Sequence, residues 1–70
     1  MGRYDLNIST ELELLTEMRS FLYDLGNGVY SHAGIIDLLI EIETAISQNP
    51  NNKFLRRFKT FVRDQSQVER

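Results

Sequence analysis

The stretch KFLRRFKTFVR, residues 53 to 63, decides how the chain is read. It holds five of the eight basic residues of a protein whose formal net charge is −2, threaded between Phe54, Phe58 and Phe61. At 100° per residue, Phe54, Leu55, Phe58, Phe61 and Val62 fall within an arc of about 120°, the apolar stripe of an amphipathic helix. Three uses compete for such a helix. Arg56, Lys59 and Arg63 could meet nucleic-acid phosphates from one face. The aromatic and basic pattern could lie on a membrane surface. Or the phenylalanines could fill a helical core, with the cations along its outer edge. Residues 1 to 50 carry eight acids against two bases, a field that repels phosphate, and residues 51 to 70 carry six bases against two acids. The core reading is therefore the expected one, and nucleic-acid binding through this helix is the alternative.

LGNG (residues 25 to 28) and QNPNN (residues 48 to 52) are the only clusters of turn residues, so the chain divides into three segments. The segment from about 10 to 25 places Leu14, Leu15, Met18, Phe21, Leu22 and Leu25 on one stripe. Thr10 followed by Glu13 is a capping-box pattern, and Gly26 suits a left-handed turn after the last helical residue. The segment from about 32 to 48 aligns Ile35, Leu38, Leu39, Ile42, Ala45 and Ile46, with Ser31 as N-cap and Pro50 beyond its end. Its five isoleucines would also suit a strand, but its length and period favour a helix. The third helix is expected over about 52 to 64, capped by Asn51 or Asn52, with residues 65 to 70 as a flexible tail. Residues 1 to 9 either cover the end of the bundle or remain loose. The expected fold is all-α, a small three-helix bundle with short connecting loops in a single domain.

At 70 residues, with 41% apolar and 26% charged content, the chain has the composition of one folded domain. It has no cysteine, which excludes disulfides, thiolate chemistry and cysteine zinc sites. A core of this size rarely supplies more than about 3–5 kcal/mol, so self-association is expected to add to it. MGRYDLNIS has no apolar leader-like run, and IIDLLIEI is broken by Asp37 and Glu41 and too short to span a bilayer. A cytoplasmic location away from the membrane is the expectation.

No residue pattern points to catalysis. His32 is the only histidine, with its nearest helical acid, Asp37, on another face. Glu41 and Glu43 diverge, no histidine and carboxylate share metal-ligand spacing, and Gly26, Asn27 and Gly28 read as a turn and not as a phosphate cradle. We expect no enzyme activity, no cofactor and no metal.

The charges and the apolar surplus carry more. Glu13, Glu17 and Asp24 lie along one strip of the first helix, and Asp37 and Glu41 pair on the second. As solvated helix backs they do nothing further; as a docking surface they fit a protein with a basic surface. Ile36 and Ile40 project about 100–140° off the second stripe, and Leu12 and Tyr23 lie off the first. These four are the candidate self-association residues of a homodimer. Together these features predict a non-catalytic regulator, inhibitor or adaptor that binds another protein. By fold-level analogy, it is of the kind found among phage and mobile-element inhibitors of host machinery.

Overall fold

The structure is a computed structural model, and it describes residues 4 to 67. Each helix begins where a side chain accepts its first free N–H groups. Thr10 accepts from the Glu13 N–H at 3.1 Å and opens α1 (Glu11–Gly26). Ser31 accepts from the Gly34 N–H at 3.1 Å and opens α2 (His32–Gln48). Asn52 accepts from the N–H groups of Phe54 and Leu55 and opens α3 (Lys53–Ser66). The described residues thus form an all-α, three-helix fold.

Two expectations at the helix ends are corrected. Gly26 belongs to α1, and the left-handed turn position is Gly28, with φ of 73°. There a side chain would strain the backbone, which is why glycine suits it. The expected tail from residue 65 is helical through Ser66, whose hydroxyl donates to the Val62 carbonyl at 2.7 Å. Gln67 closes α3 in the left-handed region, its N–H on the Arg63 carbonyl. Residues 68 to 70, the remainder of that expected tail, lie outside the described residues.

The core consists of Tyr4, Ile8, Leu14, Phe21, Ile35, Leu38, Ile42, Leu55, Phe58 and Val62. Helix α3 packs against both α1 and α2, whereas α1 and α2 bring no Cα pair within 8 Å of each other. Segment 4 to 9, which belongs to no helix, adds apolar side chains to this core. Its alternation does this: Tyr4, Leu6 and Ile8 turn inward, while Asp5, Asn7 and Ser9 remain exposed. Tyr4 meets Phe21 and Phe58 edge-on, with ring centroids 6.4 and 5.9 Å away. At the other end, Asn52 donates to the Ile8 carbonyl at 2.7 Å, so one side chain both caps α3 and holds the segment. Of the two possibilities for residues 1 to 9, the described part covers the bundle.

On α1 the expected stripe is buried on only one edge. Leu14 and Phe21 are fully buried, but Leu15 and Leu22 remain 46% and 43% exposed. A 120° stripe is wider than the arc that α3 and the N-terminal segment cover.

Candidate partner-binding surfaces

The acidic strip of α1 is the docking line of the N-terminal segment. Glu13 accepts from the Ser9 N–H at 2.8 Å and from its hydroxyl at 3.1 Å. The Ser9 bonds, with those of Thr10, hold its carboxyl below the ordinary range. Glu17 is half-buried, with a backbone hydrogen bond from Asp5. Asp24 accepts from the Tyr4 hydroxyl at 2.8 Å, and Tyr4 in turn accepts from the Tyr30 hydroxyl at 2.7 Å. Periodicity placed the three carboxylates on one strip, but their use within the chain depends on a segment that periodicity left undecided. On α2, Asp37 is exposed and Glu41 half-exposed.

Burial pushes the Glu17 carboxyl up from 4.5, and the nearby Asp5 charge adds to this against the backbone bond. A carboxyl raised in the folded state favours folding fully below its unfolded value and loses that contribution as pH rises. Glu17→Gln keeps an acceptor for Asp5 and removes the desolvated charge. We expect the variant to melt at or above the parent temperature at pH 7, with the difference vanishing near pH 4. A lower melting temperature at pH 7 would show that the charge itself holds the segment.

The cations of α3 fare unequally. Arg57 grips Glu11 with both terminal nitrogens, at 2.6 and 3.2 Å, and Lys59 pairs with Glu43 at 2.5 Å. Both pairs are substantially exposed, so they orient α1 and α2 on α3 more than they stabilise them. Arg56 donates to the Pro50 carbonyl. With Arg63, Arg56 and Lys59 line a shallow cleft of about 260 Å³ between α2 and α3, shared with Glu43 and Ile46. The structure therefore brings the three candidate phosphate-binding residues together, but places a carboxylate among them.

The candidate self-association residues all face outward. Ile36 is 41% and Ile40 59% exposed; Leu12 and Tyr23 are each 74% exposed. Leu15, Leu22 and Val29 are exposed as well, although the stripe assignment had placed Leu15 and Leu22 in the core. Among the described residues, no group of three or more His, Cys, Asp or Glu converges where a metal ion could sit. His32 stands exposed in the first turn of α2. No helix of the described residues is long and apolar enough to cross a membrane. In comparisons with known proteins, no family model, no curated protein and no solved structure matches the chain.

Proposed function

We propose that the chain is a non-catalytic protein that acts in the cytoplasm by binding another protein, as a regulator, inhibitor or adaptor, and that it self-associates. The observation that supports this is the apolar surface left over once the core is complete. Every buried side-chain polar atom of the described residues has a partner, so the core needs nothing more. Yet Leu12, Leu15, Leu22 and Tyr23 on α1, and Ile36 and Ile40 on α2, face solvent. Single exposed apolar residues are ordinary, but neighbouring ones on one helix side mark a protein-binding surface. Because Glu13, Glu17 and Asp24 are engaged by the N-terminal segment, Asp37 and Glu41 are the acids left to meet a basic partner surface. A phage-type inhibitor of host machinery is one form such a protein takes.

Ile36 and Ile40, one turn apart, form the proposed contact between copies. Ile36→Glu combined with Ile40→Glu should give a folded, smaller species in light scattering, because burying unpaired carboxylates in an interface is costly. A monomer for the unmodified chain at micromolar concentration would remove self-association from the proposal. The function class is tested by fluorescence anisotropy with a labelled DNA duplex. A protein-binding chain gives no signal at physiological salt. Binding that falls steeply with salt, and is lost when Arg56, Lys59 and Arg63 become glutamine, would establish the nucleic-acid alternative instead.

A further inference from the structure

On α1, Leu12, Leu15, Arg19 and Leu22 recur at intervals of three, four and three residues. That spacing sets them in a line along one side of the helix, the seam pattern of paired helices. The bundle buries another side, through Leu14 and Phe21. Leu12, Leu15 and Leu22 are 74%, 46% and 43% exposed, and Tyr23 stands beside them. At a rise of about 1.5 Å per residue the ridge is about 15 Å long, nearly three turns. In its middle stands Arg19, the only lysine or arginine between residues 4 and 52. It is exposed and has no hydrogen bond or ion pair among the described residues.

We infer that this face of α1 receives an amphipathic helix of another protein, whose apolar seam carries a carboxylate opposite Arg19. The inference rests on the protein-binding reading and names the chemistry of one partner. The leucines offer half of a knobs-into-holes seam, which a helix with the same apolar spacing completes. Closing that seam desolvates the guanidinium, a costly step unless a carboxylate meets it. Pairing with α1 of a second copy does not supply one. Parallel pairing sets Arg19 against Arg19, and antiparallel pairing sets it against leucine. Glu11, on the edge of the face, is already held by Arg57. The partner's sign here is opposite to that expected at Asp37 and Glu41, and the two surfaces lie on different helices.

The test uses the full chain, isotope-labelled, with two synthetic helical peptides that share one leucine seam. One peptide has Glu at the central seam position and the other has Lys. The Glu peptide should bind about tenfold tighter or better, the equivalent of about 1.4 kcal/mol. Amide shifts should centre on Leu12, Leu15, Arg19 and Leu22. Arg19→Glu, an exposed substitution, should leave the circular dichroism and melting unchanged and invert the peptide preference. Equal affinities, no binding, or a preference that fails to invert would overturn the inference. Shifts centred on Ile36 and Ile40 would overturn it while leaving the protein-binding reading intact. Salt-sensitive duplex binding without peptide binding would remove both. If Leu15→Glu converts a dimer of the unmodified chain to monomer, a second copy occupies the face and the inference falls.

Discussion

Phe58→Ala is expected to abolish the cooperative thermal transition or to lower it drastically. Phe58 is 0% exposed, and its ring is met edge-on by Tyr4 at 77°. It sits on α3, the one helix that packs against both others, so a cavity there weakens every packing surface together. Truncating a buried phenylalanine to alanine costs about 3–5 kcal/mol. A domain of this size holds about that much in total. Each kcal/mol moves the melting temperature of such a domain by about 4–8 °C. Phe58→Leu keeps most of the apolar volume, so it should retain a transition at a reduced temperature. Calorimetry of both variants checks this. A Phe58→Ala melt within a few degrees of the parent would mean that α3 is not the central wall of the core.

Tyr4→Ala should be nearly as severe, although the residue precedes every helix. Its ring fills the space beside Phe21 and Phe58, and its hydroxyl links Asp24 to Tyr30. Losing a buried aromatic ring falls in the same range of about 3–5 kcal/mol, with the lower end apt for a side chain 8% exposed. Tyr4→Phe separates the hydroxyl from the ring and should cost about 1–2 kcal/mol. The parent and Tyr4→Phe also differ in alkali. Burial, followed by the hydrogen bonds to Tyr30 and Asp24, pushes the Tyr4 phenol well above its ordinary value of 10.0. A group raised in the folded state gives its full contribution below the unfolded value and loses it as pH rises beyond. The parent should therefore lose stability above about pH 10, and Tyr4→Phe should lose less over the same interval. Equal alkaline losses in parent and Tyr4→Phe would show that the phenol is not held in the neutral form by its site.

The caps, the three helices and the buried side of α3 were legible in the residues because their causes are local. Thr10, Ser31 and Asn52 each satisfy N–H groups two or three residues away. The 3.6-residue period of Leu55, Phe58 and Val62 points one face inward whatever lies opposite. The alternation of Tyr4, Leu6 and Ile8 was also present, and it signals an extended segment with one buried side. The sequence did not say what that side would meet.

Tertiary structure decided the rest, through approaches between residues far apart in the chain. Arg57 and Glu11 are 46 residues apart, and their pair exists only because α3 lies along α1. The α1 carboxylates hold a segment instead of facing solvent because Tyr4 packs on Phe21 of α1 and Phe58 of α3 and brings the segment along α1. The same placement leaves Leu15 and Leu22 uncovered and turns Leu12, Arg19 and Tyr23 into surface. A sequence determines which sides of a helix are apolar. How many of those sides are covered depends on the directions from which its neighbours arrive, and packing alone sets those directions.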